Sequence, residues 1–198
     1  MHLYIFFIIG CVISIFGYQV IVAYIIGLAF VFSIIVGILI DSWKRKNQVL
    51  VESSKDRLIF DINGFPVEED VNSLINIFAD DEQVLASKFI KLFKLKLFFL
   101  TMVTAYSVYQ LINIYSATID YQQDYMQWGI LIIGCSFTLY LIYRLINCLS
   151  ILNSVHKLRW HIDYHDSDHQ RYYAAYFSCA KASQSNYFIP LLALVFKI

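Results

Sequence analysis

Three histidines near the end of the chain have a spacing that could bind a metal ion. His161, His165 and His169 lie four residues apart, and Asp168 directly precedes the last of them. In a helix, this spacing would place three imidazole rings along one face. Imidazole and carboxylate groups are ligands of Zn, Mn and Fe, so this histidine stripe is a candidate site for a divalent metal.

The same stretch allows two other interpretations. Asp163, Asp166, Gln170 and Arg171 lie among the histidines, as is typical of the solvated face of a polar helix. Clustered imidazoles also gain charge on mild acidification, since their free pKa is about 6.5, which suits a pH-responsive surface. The chain contains no nucleophile elbow, P-loop or HExxH motif, so we expect no catalytic residue and no organic cofactor.

The composition indicates a protein that lies in a membrane. Hydrophobic residues make up 59% of the chain and charged residues only 15%, and the mean hydropathy is +0.61. Basic and acidic residues balance at 15 each, so no strong positive field favours direct binding of nucleic acid. The four cysteines form no CxxC pair, which predicts reduced thiols. Membrane lipid is the first partner that this composition implies.

The apolar segments predict four transmembrane helices. Residues 3–40 are nearly uncharged and would measure about 57 Å as one helix, whereas a span of roughly 30 Å takes about 20 residues. A turn at Gly17, Tyr18 and Gln19 therefore divides them. The predicted spans are 3–16, 19–40, 97–115 and 129–150, which form hairpins within 1–40 and 97–150.

The distribution of charge predicts which parts face the cytoplasm. Basic clusters follow the second span at 44–46, precede the third at 88–96 and follow the fourth at 157–159. The loop between the last two spans holds Asp120 and Asp124 but no Lys or Arg. This positive-inside bias places both termini in the cytoplasm. The small size and short loops suggest a bacterial inner membrane.

Two polar segments then lie in the cytoplasm. Residues 41–96 predict an insertion with a β-hairpin, whose arms are 49–51 and 58–60, then helix from Pro66 and a stalk helix from Asp80 into the third span. Residues 151–198 predict a helical tail that ends in a short apolar docking or re-entrant segment at 187–198. The predicted fold is an all-α integral membrane protein with four transmembrane helices, a small α(+β hairpin) insertion and a helical tail.

Small residues in the second span predict close helix packing. Ala23 and Gly27 form one row, and Ala29, Ser33 and Gly37 form another. Such rows let helix backbones approach closely in lipid. One row could pack within the subunit and the other against a second copy, so we expect a homo-oligomer.

Polar side chains recur along one side of the third and fourth spans and avoid lipid there. They could hold the helices together or line a narrow hydrated path, and Arg144 could reach the headgroups. The residues are Tyr106, Gln110 and Asn113 in the third span, and Tyr140, Arg144 and Asn147 in the fourth.

Four aromatic residues in the tail have helical spacing and predict a ridge. They are Tyr172, Tyr173, Tyr176 and Phe177. Such a ridge is either a packing face or, where exposed, a docking surface for a protein partner.

Together these features suggest an oligomeric membrane sensor or scaffold that anchors or regulates a soluble cytoplasmic protein. In size and layout, the chain resembles the small four-span membrane subunits of bacterial antiphage defence systems, such as the Kiwa type. The resemblance covers layout and no motif, so no residue is carried over. It implies detection of a phage-induced disturbance of the envelope, which would be passed to a cytoplasmic effector.

Three other functions fit the same layout. Several copies could form a membrane-disrupting effector or small channel with the polar side chains of the last two spans lining it. A toxin-immunity protein that blocks a pore-forming toxin within the membrane would have the same layout of spans. A metal-dependent membrane enzyme would use His161, His165 and His169.

Overall fold

The computed structural model is mostly helical and also contains a five-stranded sheet. Two compact units divide it: a helical unit of residues 1–36 and 92–153, and a sheet unit of residues 37–91 and 154–197. The structure describes residues 2–62, 65–120, 125–157, 159–167, 170–179 and 187–196.

Each of the four predicted spans corresponds to one or more helical segments. The helical segments are α1 (His2–Ile15), α2 (Val20–Tyr24), a π-helical segment (Ile25–Phe32), α3 (Ser33–Arg45), α4 (Glu82–Asp120), α5 (Tyr125–His156) and α6 (Leu191–Phe196). α2, the π-helical segment and α3 follow one another without a break. Three helices within the described residues are long and apolar enough to cross a membrane, namely Val20–Arg45, Glu82–Ser116 and Gln127–His156.

The first predicted span corresponds to a shorter helix. α1 has 14 residues, fewer than the roughly 20 that a straight span needs, so four spans stay a prediction. The predicted turn after α1 is confirmed, because α1 ends at Ile15 and α2 begins at Val20. Gly17 has a φ of +99°, a conformation that glycine adopts without the clash a Cβ would cause.

The predicted stalk helix is confirmed, since α4 runs unbroken for 39 residues. Asp81 directly precedes the first residue of α4. One carboxylate oxygen of Asp81 accepts a hydrogen bond from the backbone N–H of Gln83 at 3.0 Å. A side-chain acceptor of this kind satisfies an N–H group that has no partner within the first helical turn.

The helix predicted from Pro66 is wrong, because this residue belongs to a strand. The strands are β1 (Leu50–Ile62), β2 (Phe65–Ala79), β3 (His161–Ser167), β4 (Gln170–Cys179) and β5 (Tyr187–Pro190). Val67, Val71 and Ile75 recur every four residues, a spacing that suits helix and strand alike. This segment is a strand because it pairs with β1. Contacts with other parts of the chain often determine the conformation of such segments.

A β-hairpin in the insertion is confirmed, but it is longer than predicted and turns elsewhere. Both predicted arms fall in or next to β1, and β2 is the actual second arm. The two strands pair antiparallel from Leu50 opposite Phe78 to Ile62 opposite Phe65.

The predicted helical tail is wrong, and with it the all-α class. α5 ends at His156, and β3 and β4 follow as an antiparallel pair. Residues 151–189 contain neither Gly nor Pro, which is compatible with a helix but equally with a strand. Aromatic residues are dense in this segment, and aromatic side chains favour strands.

The sheet joins the insertion to the tail. Its strand order is β1-β2-β4-β3, and β5 also pairs with β4. β2 and β4 pair antiparallel, with Phe78 opposite Ala174 and Ala79 opposite Tyr173. Four residues of α6 are buried where this helix packs against β2, β4 and β5, namely Leu191, Leu192, Leu194 and Val195. The apolar end of the chain therefore docks on the sheet of its own unit.

Candidate functional site

A buried polar network fixes the turn before α2 within the helical unit. The hydroxyls of Tyr18 and Ser107 are hydrogen-bonded at 2.8 Å, and those of Ser107 and Thr138 at 2.6 Å. Tyr18 and Thr138 also donate to the backbone oxygen of Gly134, at 3.3 Å and 2.7 Å. Tyr18 and Ser107 are fully buried. The turn is thereby connected to α4 through Ser107 and to α5 through Thr138, and the sequence had indicated neither of these two residues.

Part of the predicted polar stripe of the third span meets the same turn. The backbone N–H of Gln19 donates to Oε1 of Gln110 at 2.8 Å, and Nε2 of Gln110 donates to the Tyr106 hydroxyl at 2.7 Å. That hydroxyl donates to Oε1 of Gln19 at 3.3 Å. Tyr106 and Gln110 therefore hold helices together, which favours the first of the two roles predicted for them.

The other residues of the two predicted stripes have different surroundings. Asn113 and Asn147 are exposed. The ring of Tyr140 lies 6.3 Å from that of Tyr24, and the guanidinium of Arg144 lies 5.9 Å from the Tyr140 ring. Arg144 and Tyr140 thus form a cation–π contact.

The two rows of small residues differ in their surroundings. A Cβ added at Gly27 would lie 4.0 Å from Cδ1 of Phe99, whereas one added at Gly37 would have no atom of a described residue within 4 Å. The first row, with Ala23, therefore packs towards α4. Ala29 lies in the π-helical segment, and the Ser33 hydroxyl donates to the backbone oxygen of Leu28, five residues earlier, at 3.4 Å. A homo-oligomer through the second row stays a prediction.

Only part of the histidine stripe lies among the described residues. His161 and His165 belong to β3. His161 is exposed, and its ring lies 4.6 Å from that of Phe188. Asp168 and His169 fall outside the described residues. Within those that are described, no group of three or more potential ligands could hold a metal ion, and the metal site stays a prediction.

The predicted aromatic ridge is wrong as a single helical surface. All four residues lie on β4 and are half-buried. Because neighbouring residues of a strand point to opposite faces, Tyr172 and Tyr176 lie on one face and Tyr173 and Phe177 on the other. A role of these four residues in docking a protein partner stays a prediction.

One face of the sheet combines His161, Tyr176 and Phe188, which we call the aromatic face. Tyr176 is paired with His161 on one side and with Pro190 on the other, so residue 188, two positions before Pro190, lies on the same face. Phe188 is 42% exposed. The sequence missed this face because none of β3, β4 and β5 had been recognised as a strand.

A cavity in the sheet unit surrounds a lysine that is almost completely buried. Lys88 is 8% exposed, donates a hydrogen bond to Oε1 of Gln48, and places its ammonium 4.9 Å from the centre of the Trp43 ring. The cavity measures about 350 Å³ and is lined by Gln48, Asp80, Asp81, Val84, Ser87 and Lys88.

The environment of Lys88 acts against its charge. The residue lies on α4 before the apolar part of that helix. Burial lowers the pKa of Lys88, and the positive charges of Lys91 and Lys46 lower it further. From the sequence, Lys88 was one residue of the basic cluster at 88–96 that precedes the third predicted span. Its neighbours Leu85, Phe89 and Leu92 are fully buried, and their helical spacing was the available indication that Lys88 differs.

Comparison with protein-family models, curated proteins and solved structures found no match.

Proposed function

We propose that this protein is a membrane-anchored scaffold that binds a soluble cytoplasmic protein through the aromatic face of its sheet unit. The observation that supports this most directly is the pairing of β2 with β4. Two polar segments, separated along the chain by α4 and α5, form one folded unit instead of two independent loops. A folded unit can present a fixed surface to a partner.

The chemistry of the aromatic face defines the partner. Exposed aromatic side chains are enriched at protein interfaces, and here an exposed phenylalanine stacks against an exposed histidine. Lys157 and Arg159, which are also exposed, precede β3. The partner we propose carries an apolar anchor residue for Phe188 and acidic residues around it for the two cations.

The remaining parts of the proposal concern the membrane. The three apolar helices anchor the protein in a bacterial inner membrane, with both termini in the cytoplasm, and the row Ala29, Ser33 and Gly37 packs against a second copy. The resemblance in layout to antiphage defence subunits suggests that the anchored partner is an effector. The hydrogen bonds that occupy Tyr106 and Gln110 favour this scaffold over a channel.

A pull-down with two matched variants tests the scaffold. Tagged full-length wild type, Phe188→Ser and Leu50→Ser would be purified in mild detergent, followed by mass photometry and identification of copurifying proteins. Leu50 is 50% exposed on β1 and controls for the loss of an exposed apolar side chain. We expect a stoichiometric soluble partner with wild type and Leu50→Ser, and its loss with Phe188→Ser.

Two outcomes would count against the proposal. Equal retention of the partner by all three proteins would exclude the aromatic face as the binding surface. An oligomer without any soluble partner would contradict the scaffold, and conductance in planar bilayers would then support the channel.

A further inference from the structure

The cavity next to Lys88 carries opposite charges that do not neutralise one another. Lys88 lines it together with Asp80 and Asp81. The ion pair that joins Asp41 to Arg45 involves none of these groups, and within the residues that the structure describes neither aspartate forms an ion pair with Lys88. Opposite charges attract strongly at short range. Charges that line one cavity without meeting leave room for a ligand between them.

The positive side of the cavity is fixed by its neighbours. The Lys88 ammonium has three N–H donors, and the hydrogen bond to Gln48 uses one of them. Trp43 lies against the same ammonium and restricts its movement. A further N–H group is therefore available to an anionic oxygen of a ligand, close to where the ammonium already lies.

The negative side is equally defined. One carboxylate oxygen of Asp81 caps α4, which holds the carboxylate in position and leaves its second oxygen as an acceptor. Asp80 is exposed beside it. The Ser87 hydroxyl donates to the backbone oxygen of Val84 at 2.7 Å, so it offers a ligand only its lone pairs. All three groups accept hydrogen bonds from an ammonium.

We propose that this cavity binds a small zwitterion, whose anionic oxygens contact Lys88 and whose ammonium group contacts Asp80, Asp81 and Ser87. The volume of about 350 Å³ lies at the lower end of the range for small-molecule sites. Two sources share this chemistry: the headgroup of an ethanolamine phospholipid, and a free amino acid. The site does not depend on the docking function proposed above.

The test measures binding of defined probes to purified full-length protein. Lipid-free protein in detergent would be exposed to ethanolamine, choline or glycerol phospholipid, and bound lipid would be counted by native mass spectrometry. Separate samples would receive glycine, β-alanine or phosphoethanolamine, with binding measured by calorimetry. A trimethylated choline headgroup cannot donate hydrogen bonds to Asp80 and Asp81, and a glycerol headgroup has no ammonium.

Three variants assign the binding to the cavity. Lys88→Met keeps an unbranched side chain of similar size, and Asp80→Asn changes an exposed residue, so the second variant remains informative where the first fails to fold. Lys94→Met removes an exposed lysine from the same helix. We expect affinity to fall about tenfold or more in the first two variants and to stay unchanged in Lys94→Met.

Each outcome decides between the sources or against the site. Selective binding of the ethanolamine lipid alone supports a lipid site, and binding of the free zwitterions supports a soluble ligand. Equal binding of ethanolamine and glycerol lipids overturns the proposal, because a site that binds both recognises only the anionic phosphate and not an ammonium group. Absence of binding by every probe, or unchanged affinity in Lys88→Met and Asp80→Asn, overturns it as well.

Discussion

The side chain of Asn76 on β2 donates a hydrogen bond from Nδ2 to the backbone oxygen of Ala175 on β4, 3.5 Å away, although 99 residues separate the two. Oδ1 of the same asparagine accepts from the backbone N–H of Ile77 at 2.9 Å. Both Asn76 and Ala175 are fully buried. This polar side chain therefore joins the insertion to the tail at a point that water does not reach.

Replacement of Asn76 by alanine should destabilise the sheet unit. Asn76→Ala leaves the Ala175 oxygen and the Ile77 N–H with one partner fewer in a buried position, which costs about 1–3 kcal/mol of unfolding free energy. We expect an earlier denaturation midpoint and faster limited proteolysis within 157–160, where the chain passes from α5 to β3. The measurement is denaturant titration of the detergent-solubilised protein together with a timed digestion.

Asn113→Ala provides the matched control for this substitution. Asn113 is exposed on α4, so its replacement should leave the midpoint and the digestion pattern unchanged. An equal effect of both substitutions would mean that Asn76 contributes nothing specific to the junction between β2 and β4.

The sequence predicted those parts of the fold that depend on local patterns. Long stretches without charged residues indicated the three long apolar helices. The turn at Gly17 followed from the polar interruption within 3–40, and Asp80 and Asp81 marked the start of α4. The strands of the tail depend on pairing between segments far apart in the chain. A single strand has no internal hydrogen bonds, so no local pattern identifies its partner.

The same distinction separates the site residues that were predicted from those that were missed. Tyr106 and Gln110 form a polar stripe in an apolar helix, which is visible in one segment alone. Tyr18, Ser107 and Thr138 are single polar residues in three different segments, and only their meeting makes them a network. Lys88 is likewise one lysine of a basic run until Gln48 and Trp43 are brought next to it.

Two buried tyrosines at the start of the second apolar segment should respond differently to loss of the hydroxyl. The Tyr18 hydroxyl makes two hydrogen bonds, whereas the buried Tyr24 hydroxyl makes no hydrogen bond of acceptable geometry with any residue that the structure describes. Tyr18→Phe should therefore lower stability by roughly 1–3 kcal/mol, while Tyr24→Phe should be neutral or slightly stabilising. Thermal unfolding in one detergent, followed by intrinsic fluorescence, compares the two.

Each of these two substitutions serves as the control for the other, because both remove a buried hydroxyl and keep the aromatic ring. The edge-on contacts of Tyr24 with Phe137 and Tyr140 survive in Tyr24→Phe. A lower stability for Tyr24→Phe than for Tyr18→Phe would contradict the roles that we give to the two hydroxyls.

Disulfide cross-linking should distinguish the two rows of small residues in the second apolar segment. In a background with all four cysteines replaced by serine, Ser33→Cys and Ala23→Cys would each carry one thiol at a half-buried position. The row of Ser33 ends at Gly37, where the surface is open, whereas the row of Ala23 ends at Gly27, next to Phe99. Rows of small residues favour close approach of a second helix in lipid.

Oxidation of membranes that contain each variant is the measurement, with dimers counted on non-reducing gels. We expect a cross-linked dimer with Ser33→Cys and none with Ala23→Cys, because α4 of the same chain already occupies the side of Gly27. Equal cross-linking of both variants would indicate random collision in the membrane. A monomer in both cases would exclude a symmetric interface at Ser33, since symmetry would bring the two copies of this residue close to its axis.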